Sequence, residues 1–128
     1  DLYNSGSALA TLEGIWVDNT FTDLAGASTW VFAADGSYTV DTVAGGTGVC
    51  FATGQISLID ATKNAYASTS TLTNCGLEQG IDPSLNGDYE GVLFVTETSS
   101  PGDTLFGAGS LLLSNGTIQT IFSVPVKQ

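Results

Sequence analysis

The chain has 128 residues, 42% of them apolar, with a mean hydropathy of +0.22. That is enough for one packed core and too apolar for a disordered chain. Thirteen acids face two bases, Lys63 and Lys127, for a formal charge of −11. This excludes a nucleic-acid surface, which needs clustered Lys and Arg to displace counterions, and the chain has no Arg.

The first residues, 1–11, are mostly small and polar, and are expected to form a flexible leader to a single β domain over 12–128. Residues 12–17 read as the first strand, with Leu12, Ile15 and Trp16 as its large apolar groups. A turn-rich stretch, 18–27, follows. Residues 29–33 and 37–43 read as a hairpin about Asp35-Gly36, a pair suited to a type I′ turn. Tyr38 and Val40 fall on one face of its second strand. After Gly45-Gly46, residues 49–59 form a long strand expected to bend at Gly54, where a missing side chain marks a bulge.

Residues 60–64 are a turn, and 65–73 alternate small and hydroxyl residues, as a strand with one wet face does. A loop over 76–87 precedes an apolar strand at 88–96, with Val92, Phe94 and Tyr89 expected inward. After a turn at 99–103, short strands at 104–106, 111–113 and 117–124 close the chain. Asn115-Gly116 is its strongest hairpin signal. No amphipathic helix separates these eight or so strands, so they cannot form a parallel sheet. The expected fold is all-β: an antiparallel up-and-down meander, as a barrel or a flattened sandwich. Closure into a barrel removes the exposed edges and is preferred.

Cys50 and Cys75 are separated by 24 residues, and hydroxyl residues dominate the polar set. Together these predict a Cys50–Cys75 disulfide in an oxidising compartment. The bridge would staple the open end of the hairpin about 60–64. The chain has no Met, and Asp1 reads as the start of a processed mature chain. The expected location is secreted, cell-surface or periplasmic, after removal of a targeting segment. Anionic membrane surfaces are disfavoured by the charge, and no apolar run is long enough for a helical membrane span.

His is absent, which removes the commonest general base, the usual activator of Ser and Cys nucleophiles, and the commonest zinc ligand. No Gly-x-Ser-x-Gly, phosphate loop or Asp-Thr/Ser-Gly triplet occurs. Paired carboxylates, with Glu90 and Glu97 as candidates, are the one acid–base chemistry left. One pattern could hold a cation: Asp82, Ser84, Asn86 and Asp88 alternate around Asn86-Gly87, and Glu90 follows. This resembles the front half of a calcium loop, but Leu93 stands where its bidentate Glu belongs. Asn115-Gly116-Thr117 is a formal glycosylation sequon, better explained as a hairpin tip. The hydroxyl run 68–73 is expected to be the wet face of a strand. Trp16, Trp30, Phe32, Tyr38 and Phe94 are expected to fill the core or line a ligand cavity.

Gly14-Ile15-Trp16, opening the first strand, resembles the Gly-x-Trp signature of the calycin group, which includes lipocalins. Asn64-Ala65-Tyr66, Asn74-Cys75-Gly76 and the segment 86–91 are similar to a pattern of small bacterial envelope lipoproteins. The resemblance implies a closed barrel with Trp16 plugging one end. In calycins a late basic residue packs over that Trp, and Lys127 is the one available here. The expected function is a non-catalytic secreted or envelope barrel module that needs no cofactor and binds a small ligand or a partner. The alternatives are a subunit of an extracellular assembly that pairs through its terminal strands, and a carboxylate-based hydrolase.

Overall fold

Period-2 alternation builds a single meander that closes on itself. The computed structural model describes residues 4, 6–19, 27–44, 47–76, 83–96, 102–112 and 116–128, excluding the side chains of 42–44 and 47–49. The strands are β1 (Gly14–Asp18), β2 (Ser28–Phe32), β3 (Ser37–Ala44), β4 (Thr47–Leu58), β5 (Tyr66–Thr73), β6 (Gly87–Thr96), β7 (Thr104–Leu112), β8 (Ile118–Ser123) and β9 (Val126–Lys127). Each of β1 to β7 pairs antiparallel with the next strand in sequence, and β7 pairs with both β8 and β9. β9 also pairs with β1. β8 and β9 are thus two parts of one stave, interrupted at Val124-Pro125, and the result is a closed eight-stranded antiparallel barrel.

Inward positions carry the core: Trp16, Phe32, Tyr38, Val40, Ile56, Tyr66, Leu93, Val95 and Leu105 are all buried. Trp16, fully buried, removes about 200 Å² of aromatic surface from water, on the order of 5 kcal/mol as an upper bound. Phe32 sits at the centre of an aromatic group. It meets Trp16 edge-on at 6.3 Å, stacks on Trp30 at 6.1 Å and touches Tyr38 at 5.1 Å.

Four local expectations are corrected. The leader is docked from Gly6 onward: Ser7 N donates to the Ala61 carbonyl at 3.1 Å, and a one-turn helix α1 (Leu9–Leu12) buries Leu12 in the core. The Asp35-Gly36 turn is a three-residue loop, because among its residues only Gly36 has positive φ (+83°). Type I′ needs positive φ at two positions, whereas a type I turn followed by one left-handed residue needs it at one. Asp35 Oδ1 accepts from Ser37 N at 2.9 Å and Ser37 Oγ at 2.6 Å, which fixes the loop and holds the Asp35 carboxyl below its ordinary pKa.

The register of β4 runs through Gly54 without a bulge, and the irregularity lies between Thr42 and Val43. Gly54 is there because the Tyr38 ring lies across it, and a Cβ would stand 2.4 Å from ring carbons. Lastly, Val92 and Phe94 point outward. Tyr89, Leu93 and Val95 are the buried set of β6, in alternation with Gly91. Phe94 stacks on Phe106 across β6 and β7 on the outer surface, at 5.3 Å and 11°.

Candidate functional site: a cavity inside the barrel

The two ends of the barrel are built differently. At one end Trp16 lies beneath α1, with its Nε1 donating to the Leu12 carbonyl at 2.7 Å. Lys127 covers its ring, with Nζ 5.5 Å from the centroid and donating to the Thr11 carbonyl at 2.9 Å. This end is filled.

The middle of the barrel is not filled. A cavity of about 110 Å³, partly open to solvent, is lined by residues of β2 to β8. One wall is aromatic: Trp30 and Tyr38 stack at 5.8 Å and 12°, with Val40 beside them. The facing wall comes from β5 to β8, where inward positions are held by Ser68, Ser70, Gly91, Gly107, Gly109 and Ser123. The register puts these small residues side by side: Ser68 pairs with Gly91, Gly91 with Gly109, and Gly107 with Ser123. Large residues at these positions would fill an eight-stranded barrel. Small ones leave the space open.

Part of the polar lining is already engaged. Ser28 Oγ accepts from Trp30 Nε1 at 2.9 Å, and the Tyr38 and Ser68 hydroxyls lie 2.8 Å apart. The Tyr89 hydroxyl donates to the Leu85 carbonyl at 2.8 Å, and burial pushes its pKa above the ordinary value. Among the described residues, no charged side chain lines the cavity.

The disulfide closes one part of the rim. Cys50 and Cys75 are bonded, with Cα atoms 4.5 Å apart, just beyond the last β4–β5 pair, Phe51 with Thr73. Cys50 itself lines the cavity. Asn86 ties the same corner to β6. Its Oδ1 accepts from Cys75 N and its Nδ2 donates to the Cys75 carbonyl, both at 2.9 Å.

Of the aromatic candidates, Trp30 and Tyr38 line the cavity, Trp16 and Phe32 are core, and Phe94 is on the outside. The described members of the cation pattern do not converge. Asp82 lies outside the described residues. Ser84 is exposed in a 3₁₀ turn (Pro83–Leu85), and Asn86 is turned to Cys75. Asp88 accepts from Thr71 Oγ1 at 2.6 Å, and Glu90 is exposed on the outer face of β6. Among the described residues no three His, Cys, Asp or Glu come together to hold a metal. Glu97 and Asn115 also lie outside the described residues.

Composition alone hides the serine and glycine wall. Its signal is positional: residues 68, 70, 91, 107, 109 and 123 are small where the alternation calls for core. The fold and cavity together define a closed up-and-down barrel holding a cavity that, among the described residues, no charged side chain lines. Comparison of the chain with protein-family models, with curated proteins and with solved structures gives no match.

Proposed function

We propose that this chain is a non-catalytic binding module of the secreted or cell-envelope space that holds a small apolar ligand inside its barrel. The cavity carries the reading. Its volume, about 110 Å³, is comparable to the ~150 Å³ apolar cavities known to hold benzene. It suits one ring or the end of a chain, not a whole fatty acid. The lining has no acid–base pair among the described residues, which favours binding over hydrolysis. Lys127 over Trp16 supports a calycin-like arrangement of the filled end. The disulfide supports an oxidising compartment, and no helix among the described residues is long and apolar enough to cross a membrane.

The test is thermal unfolding with benzene present. A ligand that binds only the folded state at a hundredfold excess over its Kd raises Tm by about 5 °C or more. Gly109→Val should abolish that rise. The Cβ at residue 109 has ordinary room, 3.6 Å from Tyr89 Cβ, so the added methyl groups fill the cavity without forcing the backbone. A Tm independent of benzene would overturn the reading.

Assembly is the second reading. It is favoured by the exposed apolar face of Val92, Phe94, Phe106 and Phe122. The terminal strand itself is engaged, since β9 pairs with both β1 and β7. Light scattering at high protein concentration separates the two readings, and a monomer speaks for the first.

A further inference from the structure

Resting on the binding reading above, we infer that the cavity is selective for a small uncharged ring compound bearing a hydroxyl group, of the phenol type. Three observations converge on that class.

The first is shape. Trp30 and Tyr38 on β2 and β3 present two near-parallel rings, and the wall four strands away around the barrel is largely Gly91, Gly107 and Gly109. A flat panel facing bare backbone accepts a planar molecule better than a bulky aliphatic one, and ring-on-ring contact adds to simple burial. Gly91 and Gly107 cannot be enlarged freely. A Cβ at Gly91 would lie 2.1 Å from the Ala108 carbonyl oxygen, and one at Gly107 would lie 2.3 Å from Leu93 Cδ2.

The second is charge. No Lys, Arg, Asp or Glu lines the cavity among the described residues. A carboxylate or ammonium placed there would shed its hydration with no counter-charge to offset the cost.

The third is hydrogen bonding. Ser70 and Ser123 line the cavity, and neither hydroxyl has a hydrogen-bond partner among the described residues. Each can donate one hydrogen bond and accept two. The Tyr38–Ser68 hydroxyl pair stands on the same lining and can redirect its shared hydrogen. A ligand hydroxyl therefore meets partners, whereas an unsubstituted ring leaves them unused.

The experiment is calorimetric titration of the folded protein with benzene, phenol and benzoate, on wild type and on Ser70→Ala, Ser123→Ala and the double variant. The readout is the ratio of benzene Kd to phenol Kd, which cancels any general loosening of the cavity. One neutral hydrogen bond is worth about a fivefold change in affinity. The ratio should therefore fall about fivefold in at least one single variant and further in the double, while benzoate gives no heat. A ratio unchanged in all three variants, or benzoate binding as tightly as phenol, would overturn the ligand class while benzene binding keeps the cavity reading. Heat from none of the three compounds would overturn both.

Discussion

Asn64 lies in the turn between β4 and β5 and is only 6% exposed. β5 ends its pairing with β6 at Tyr66–Leu93, so the next inward residue of β6, Val95, has no strand partner on that side. Asn64 takes the place of one. Its Oδ1 accepts from Val95 N at 3.1 Å, and its Nδ2 donates to the Val95 carbonyl. Because both backbone groups are buried, Asn64→Ala should cost about 2–4 kcal/mol, as two buried polar groups lose their partners. Asn64→Asp keeps the acceptor but sets a buried carboxylate against the Val95 carbonyl, and should cost at least as much as Asn64→Ala. Urea unfolding of the three proteins checks the order, and an Asn64→Ala midpoint equal to wild type refutes the role. Gly54 makes the complementary point. There the missing side chain is the feature, because the Tyr38 ring fills its place. Neither role can be read from sequence, since each depends on a residue about sixteen or more positions away in another strand.

Strands and turns were largely legible, and their faces less so. Alternation and turn residues located the staves of the barrel to within a residue or two, because half-buried antiparallel strands repeat every second residue. β6 shows why the face can still be misassigned. Val92 and Phe94 are its bulkiest alternating pair with Glu90, yet the buried phase is Tyr89–Gly91–Leu93–Val95. Gly91 conceals that phase because an inward glycine looks like a gap in the pattern, though the Ala108 carbonyl approaches too closely for any larger residue. For the same reason the sequence of β7 looks like two short strands, with Gly107 and Gly109 interrupting one continuous stave. The two strands whose inward phase is masked by glycine, β6 and β7, are thus two walls of the cavity.

The disulfide belongs to this scale as well. It closes the open end of the β4–β5 hairpin, as its position between those strands suggests. Cys50→Ala/Cys75→Ala should lower stability by about 3 kcal/mol through the freed unfolded chain. Denaturant unfolding of the oxidised, reduced and double-variant proteins measures it, with reduction expected to match the variant. Equal stability of all three forms would mean that Asn86 and the strand pairing hold that corner without the bridge.

For the whole molecule, the decisive joint is the one that turns a meander into a barrel. β1 and β2 share five register pairs, whereas β9 closes on β1 through two, Trp16–Lys127 and Val17–Val126. The seam is reinforced from both sides. The buried Asp18 carboxylate accepts from Val124 N at 2.7 Å, and Gln128 N donates to the Ile15 carbonyl at 2.9 Å. The Lys127 side chain bridges Trp16 and Thr11. The Lys127 and Gln128 contacts lie at the filled end, whereas Asp18 pairs with Ser28 of the cavity lining, and neither Trp16 nor Lys127 lines the cavity. Stability and ligand binding should therefore separate. Lys127→Ala removes a cation over an aromatic face and a charged hydrogen bond, and should cost about 1–2 kcal/mol. It should leave the benzene affinity of the folded protein unchanged. Unfolding and titration on the same preparation test both halves. If Lys127→Ala weakens benzene binding tenfold, the seam reaches the cavity and the two ends of the barrel act as one unit. If it changes neither quantity, closure rests on the Asp18–Val124 hydrogen bond and the β9 pairs, and the lysine over Trp16 is a likeness of geometry without energetic weight.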